Sequence, residues 1–231
     1  MNRNCNSQII LAGTIVMIEK TPKQTDIPVH NKQCTVTLKI NQLSGNKSVS
    51  ENSLVRLLAV SPEIQDRLKN YHTGDHIQAA VDIQDGKNIC FIRCHRCGYH
   101  IAYQREGILQ MKDLEPAGDE ADLNIVEGTF IVRTDPVLAE KEHDFMTYIF
   151  LANETSEGKE KAEPGLIWIS KRVYKGSEDS LSEISKNNLV KIKGSLVQNI
   201  VQMRKCCPYC FHTFKKSVTV TEIVALEVKR I

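Results

Sequence analysis

Hydrophobic and polar residues alternate along several segments of the first half of the chain, as they do in strands with one buried face. The segment QCTVTLKI is the clearest, because Cys34, Val36, Leu38 and Ile40 fall on one face of an extended chain. We predict four further strands, at QIILAGTIVMIEK, SLVRLLAV, HIQAAVDI and GILQMKDL. Between strands 3 and 4, SPEIQDRLKNY predicts a short helix that begins with Ser61 as N-cap and Pro62 at the first helical position.

The second half of the chain repeats this order. Its predicted strands are NIVEGTFIVRT, DFMTYIFLA, GLIWISKRVY, NLVKIKGSLV and SVTVTEIVALEV, with SEDSLSEIS in the place of the helix. Gly13 and Gly128 lie in the two first strands at an offset of 115 residues (128 − 13). The segment LEPAGDEADLN is acidic and contains Pro and Gly, as linkers do. We therefore predict an all-β chain with two domains, residues 1–119 and 120–231.

Composition adds few restrictions. The 231 residues are 41% hydrophobic and 25% charged, which suits two ordinary globular domains. No apolar run approaches the roughly 20 residues of a membrane span, and we see no secretory signal. The net charge of +2 means that any nucleic-acid surface must be a local patch. We expect an intracellular protein, nuclear if eukaryotic, with no membrane partner.

Four of the eight cysteines form two Cys-x-x-Cys pairs, Cys94 with Cys97 and Cys207 with Cys210. The pairs occupy equivalent positions of the repeat, 113 residues apart (207 − 94). Without an export signal, this spacing indicates metal binding rather than disulfides, and zinc is the usual metal. All four thiolates around one shared zinc would make a closed, structural Zn²⁺ site.

A second ligand arrangement stays open. Each half would close its own site, from Cys90, Cys94, Cys97 and His100 and from Cys206, Cys207, Cys210 and His212. Adjacent Cys206 and Cys207 would then have to bind one ion, although neighbouring side chains on a strand point to opposite faces. We favour the shared site, in which Cys206 is not a ligand.

The order strand, strand, strand, helix, strand, strand resembles the OB-fold, a five-stranded Greek-key barrel. The glycine-containing first strands and the fourth strands HTGDHIQAAVDI and NNLVKIKGSLV resemble OB-fold domains of the single-stranded DNA-binding replication protein A type. The cysteines depart from that family, whose zinc ribbon follows the first strand. The turn CHRCG is similar instead to zinc knuckles in the OB domains of minichromosome-maintenance helicases. The resemblance implies two OB-fold barrels, each with a Cys-x-x-Cys zinc knuckle between strands 4 and 5.

The resemblance also implies a site for single strands across strands 2 and 3, where aromatic faces stack on bases and cations contact phosphates. In the second half, LIWISKRVY would place Trp168, Arg172 and Tyr174 on one outer face. Trp168 would equally suit the core or a contact with the other half. The further candidates for nucleic-acid binding are Tyr148, Phe150, Lys171, Lys191, Lys193, Arg204 and Lys215.

We therefore expect a non-enzymatic, zinc-stabilised protein that binds single-stranded DNA in replication, repair, recombination or telomere maintenance. Other subunits of a genome-maintenance complex are the expected partners. The chain has no Walker-type loop, no Gly-x-Ser-x-Gly elbow and no His-Glu-x-x-His motif. Two alternatives stay open: an OB-fold scaffold subunit that mediates protein–protein contacts, and RNA binding.

Overall fold

The structure is a computed structural model that describes residues 8–20, 34–41, 52–118, 122–155, 165–175 and 181–231. These residues are mostly β, as the alternation predicts. The strands of the first half are β1 (Gln8–Lys20), β2 (Cys34–Asn41), β3 (Asn52–Ala59), β4 (His76–Arg93) and β5 (His100–Pro116). Those of the second half are β6 (Leu123–Val132), β7 (Val137–Lys141), β8 (Phe145–Glu154), β9 (Leu166–Tyr174), β10 (Leu189–Cys206) and β11 (Thr213–Arg230).

The predicted helix is present in the first half as α1 (Pro62–Arg67), followed by a 3-10 turn at Leu68–Asn70. Ser61 has the extended backbone of an N-cap, but its side chain makes no capping hydrogen bond. In the second half, the described part of the equivalent connection, residues 181–188, contains a 3-10 turn at Leu181–Glu183. Both connections bury apolar side chains, so each one packs against the core.

The two halves pair their strands in the same pattern. In the first half β1 pairs with β2 and β4, β2 with β3, β4 with β5, and β3 runs parallel to β5. In the second half β6 pairs with β8 and β10, β8 with β9, β10 with β11, and β9 runs parallel to β11. Each set is a closed cycle in which every strand has two neighbours.

The register of the pairing is repeated as well. Gly13 lies opposite Ile77 and Gly128 lies opposite Ile192, and both offsets are 115 residues (128 − 13 and 192 − 77). The repeat seen in the sequence is therefore a repeat of backbone hydrogen bonding. The alternation in β2 is confirmed too, since Cys34, Val36, Leu38 and Ile40 are all buried.

The sequence analysis does not predict β7, and none of the first-half strands in the described ranges corresponds to it. All five of its residues are exposed, so no alternation of hydrophobic and polar positions marks it. It pairs with β8 at one end of the sheet order.

The sheet continues from one half into the other, because β1 also pairs with β6. Ile10 lies opposite Ile125, and Gln8–Glu127 and Ala12–Leu123 flank this pair symmetrically. Beyond the sheet, β10 lies against β3 and β4 lies against β9, which is the same contact with the halves exchanged. The two halves are thus related by an approximate two-fold axis, as subunits are in an isologous dimer.

Polar contacts reinforce the junction. The Asp122 carboxylate accepts a hydrogen bond from the backbone N–H of Asn41 and lies 2.7 Å from Nε2 of His76. The Gln198 side chain accepts from the N–H of Arg56 at 2.7 Å and donates to its carbonyl oxygen at 3.3 Å. Residues 114–124, which the composition predicts as a linker, are therefore tied to the first half at Asp122.

No helix among the described ranges is long and apolar enough to span a membrane.

Candidate metal centre and nucleic-acid interface

Each Cys-x-x-Cys pair lies in a tight turn that joins two long strands, β4 to β5 and β10 to β11. In the first turn the Cys94 carbonyl accepts from the N–H of Gly98 at 2.9 Å, and the Cys94 N–H donates to Tyr99 at 2.8 Å. The second turn has the same two bonds, from Phe211 to Cys207 at 2.9 Å and from Cys207 to His212 at 3.0 Å. The turns therefore repeat in detail, 113 residues apart.

The structure brings the two turns together. The four sulfur atoms of Cys94, Cys97, Cys207 and Cys210 lie within 4.8 Å of one another. Two pairs that join the halves have Sγ–Sγ distances of 3.7 Å (Cys94–Cys210) and 3.5 Å (Cys97–Cys207). A tetrahedral zinc with Zn–S bonds of about 2.3 Å needs sulfur atoms about 3.8 Å apart, so this donor set fits zinc.

The acidities of the thiols point to a cation as well. A hydrogen bond from the backbone of Cys97 is the largest cause that lowers the pKa of the Cys94 thiol, to about 7. A backbone hydrogen bond from Tyr99 acts to lower the pKa of Cys97, but desolvation and the three neighbouring thiols outweigh it and raise that pKa to about 12. Four thiols at this spacing cannot all ionise without a counter-charge, and a metal ion supplies one.

The alternative with one site in each half finds less support. Cys206 is exposed, and its thiol donates to the Cys207 carbonyl at 3.8 Å instead of facing the four sulfur atoms. The side chain of Cys90 lies outside the described residues. Among the described side chains, neither His100 nor His212 joins the cluster that could hold a metal. The arrangement that the structure brings together is the shared one.

Aromatic rings surround the cysteine cluster, and the sequence analysis does not predict their contacts. The rings of Tyr99 and Tyr209 are parallel within 4°, with centroids 6.1 Å apart. Phe214 is buried, and the ring of His95 packs edge-on against it at 5.9 Å. Both contacts join the halves, but neither one pairs a residue with its own counterpart in the repeat. The repeat therefore does not predict them.

The outer face of β8 and β9 holds part of the predicted interface. Trp168 is half-buried, Arg172 is half-buried, and Tyr174 is 57% exposed. The register places Phe145 opposite Tyr174, and the two rings pack edge-on with centroids 5.5 Å apart. The Arg172 guanidinium lies 4.1 Å from the centre of the Phe145 ring and also pairs with Glu142. Phe145 is the member that sequence reasoning missed, because the β8–β9 register decides it.

Three of the predicted residues lie on the opposite, core-facing side of these strands, which corrects the prediction. Phe150 lies opposite Ile169 and is fully buried, and Tyr148 packs against the core. Lys171 is buried, and its ammonium donates to the Leu226 carbonyl at 2.6 Å. An amphipathic lysine stem can follow an apolar face when its head finds a carbonyl, which alternation alone does not reveal.

The predicted lysines of β10 are exposed but paired. Lys191 and Lys193 lie 3.0 and 3.4 Å from one carboxylate oxygen of Glu127. The hydrogen bond from Lys191 is the largest cause that lowers the pKa of Glu127. Arg204 and Lys215 lie opposite each other near the second cysteine turn, and both are exposed. The candidate cations therefore fall into a paired group and a group beside the cysteines.

Comparison with known proteins yields a likeness of fold. No protein-family model matches the chain, and no curated protein matches it. A solved structure of a deletion mutant of the single-stranded DNA binding protein from Thermus aquaticus matches 98% of this chain and 94% of its own, with a TM-score of 0.64 and 14% identity. The wild-type protein from Thermus aquaticus matches 98% and 93%, with a TM-score of 0.61 and 14% identity. The chain shares its fold with these proteins along nearly its whole length.

Proposed function

We propose that this protein binds single-stranded DNA and that each half, residues 1–119 and 120–231, is an OB-fold barrel. The observation that carries the proposal is the likeness of fold to a single-stranded DNA binding protein over 98% of the chain. The closed cycle of five strands in each half supports the barrel assignment, because closure is what distinguishes such a barrel from an open sheet. We propose a binding role and no catalytic one.

In this proposal Cys94, Cys97, Cys207 and Cys210 hold one structural zinc. With four thiolates, no coordination position remains open for water or substrate, so the ion would stabilise and not catalyse. Each half supplies two ligands, and the metal would therefore fix the long strands of both halves against each other.

The binding face that we propose is the outer side of β8 and β9. Tyr174 and Phe145 offer ring faces and edges to bases, and Arg172 offers a cation that is already oriented over an aromatic ring. Trp168 lies further along the same face, opposite Leu151. Arg172 would exchange its pairing with Glu142 for a phosphate, which makes binding sensitive to salt.

A paired substitution tests this face. Arg172→Ala with Tyr174→Ala should weaken binding to a single-stranded oligonucleotide by about tenfold or more, because each stacked base contributes about 1–3 kcal/mol. Lys186→Gln is the matched control, since Lys186 is exposed and lies outside the β8–β9 face. Unchanged affinity in the double variant would refute the face without refuting the function.

The cellular process belongs to the proposal as well: DNA replication, repair, recombination or telomere maintenance, within a complex of other subunits. One observation favours an alternative, an OB-fold scaffold subunit. Arg172, Lys191 and Lys193 are already neutralised by carboxylates, which is expected of a surface that does not bind phosphates. RNA binding is the second alternative, since stacking platforms accept either nucleic acid.

A further inference from the structure

The rings at the second cysteine turn are exposed to an unusual degree. Tyr209 is 73% exposed and Phe211 is 78% exposed, and Tyr99 stacks beside Tyr209. Phe214, by contrast, is buried, and its ring contacts those of His95 and His212. Tyr209 and Phe211 therefore contribute little to the folded core, and their apolar surface is available to a partner.

Phe211 also has a backbone conformation that is unfavourable for a residue with a side chain. Its φ is +55°, in the left-handed region where residues other than glycine are uncommon. Its counterpart in the first turn is Gly98, with a φ of +75° and the same hydrogen bonds. The turn forms with glycine, so the fold itself does not require a phenyl ring at this position.

The two-fold relation between the halves makes the asymmetry explicit. Exchanging the halves maps Tyr209 onto Arg96 and Tyr99 onto His212, at the offset of 113 residues. On one side of the cysteine cluster the two turns therefore present the stacked rings of Tyr99 and Tyr209. At the equivalent positions on the other side they present His212 and Arg96. Rings and cations are brought together around one centre.

The charge of this region sets it apart from the rest of the chain. Residues 93–101 and 199–220 contain no Asp or Glu and six cations: Arg93, Arg96, Arg204, Lys205, Lys215 and Lys216. Since the whole chain carries +2, the other 200 residues carry −4 (2 − 6). Zinc with four thiolates would add about −2 and leave the region cationic. Within the described part of the chain, Arg93, Arg96, Arg204, Lys205 and Lys215 have no ion-pair partner.

We propose that the two Cys-x-x-Cys turns form a second contact for single-stranded DNA. This contact is separate from the β8–β9 face and is built from both halves. Bases stack on the exposed rings of Tyr209 and Phe211, and the flanking cations contact the phosphates. This inference rests on the proposed function. An acidic peptide would satisfy the cations, but it would leave the exposed rings without stacking partners, so a single strand fits both features. Because cysteines of both halves would hold the metal, its loss would separate the rings of Tyr209 and Phe211 from Arg93 and Arg96, two of the six cations.

Variants of the zinc-loaded full chain test the proposal with a thirty-nucleotide oligothymidine. Phe211→Gly copies the first turn and relieves the backbone, so it should keep the zinc and the melting temperature. It should weaken binding by about 5- to 160-fold, the range for one stacked base. Tyr209→Ala should weaken binding by a similar factor. Tyr209→Phe, which keeps the ring, and Lys186→Gln, away from the turns, should bind as the unaltered protein does.

A measurement on the unaltered protein guards against misfolded variants. An oligothymidine that carries 4-thiothymidine should photo-crosslink to Tyr209, Phe211 or Tyr99, as located by mass spectrometry. If the protein binds the oligonucleotide but crosslinks only elsewhere, or if both ring-removing variants bind normally, the second contact is refuted and the proposed function stands. If the unaltered protein binds no single strand at low salt, both fail together.

Discussion

Ile10 of β1 lies directly opposite Ile125 of β6, which is its own counterpart in the internal repeat. The two-fold axis that relates the halves therefore passes through this pair. The same axis exchanges Cys94–Cys210 with Cys97–Cys207, two sulfur pairs that join the halves. The strand pairing and the cysteine cluster thus fix one relative orientation of the halves, and a metal at the cluster would lock it.

The shared metal site predicts a stoichiometry. The chain should contain one zinc, measured by elemental analysis of protein purified without added metal. Cys94→Ser and Cys210→Ser should each abolish stoichiometric zinc and lower the melting temperature by about 10 °C. This corresponds to a loss of about 2.5–5 kcal/mol of folding free energy, since 1 kcal/mol is about 2–4 °C in a chain of this size. Cys206→Ser is the control and should retain both, since Cys206 lies outside the cluster. Two zinc ions per chain would contradict the shared site.

Zinc affinity should fall as the pH falls. Zinc binds thiolates, and the pKa of about 12 for Cys97 means that this thiol is protonated in the metal-free protein near neutral pH. Binding must therefore release protons, and the dissociation constant should rise steadily from pH 8 to pH 6. Competition with a chromophoric chelator measures the affinity, and proton release is followed with an indicator dye in weak buffer. Affinity that does not change with pH would be incompatible with thiolate ligands.

Two glycines should be irreplaceable in their strands. A Cβ at Gly13 would lie 2.5 Å from the Lys39 carbonyl oxygen, and one at Gly194 would lie 2.4 Å from that of Val224. Gly13→Ala and Gly194→Ala should each lower the free energy of unfolding by about 1–3 kcal/mol, because the backbone must shift to admit the methyl group. Denaturant unfolding measures this. Ala139→Ser on exposed β7 is the control, expected within about 0.5 kcal/mol of the unaltered protein.

The sequence predicts those features of the fold and the candidate site that are visible in the order of residues, and it misses those that depend on how distant segments pair. Alternation is visible within short segments, and the internal repeat is visible from comparing the two halves of the sequence. The described strands except β7, α1 and the cysteine pairs could therefore be predicted. The β1–β6 pairing could not, because Ile10 and Ile125 look like ordinary strand residues. The position of Phe150 in the core and the contact of Phe145 with Arg172 could not be predicted either, because the register of β8 against β9 is not visible in either strand alone. The stacking of Tyr99 on Tyr209 depends on both halves being in place.

The pairing of the β10 lysines with Glu127 gives a gain-of-binding prediction. Glu127→Gln should release Lys191 and Lys193 from their shared carboxylate and raise the affinity for a single strand several-fold at low salt. The dependence of log Kd on log salt concentration should steepen, because more counterions are released on binding. Glu183→Gln is the control, since Glu183 is exposed and lies in the short turn before β10. If the two variants bind single-stranded DNA with equal affinity, Lys191 and Lys193 do not contact the DNA.

The most direct test of single-strand binding is a fluorescence-anisotropy titration of the full chain with a thirty-nucleotide oligothymidine, a duplex of equal length and the matching oligouridine, at 50 and 200 mM salt. We predict binding to the oligothymidine that exceeds binding to the duplex by at least about tenfold and weakens at the higher salt. Equal or tighter binding to the duplex would contradict the account, as would the absence of binding to any strand at 50 mM salt.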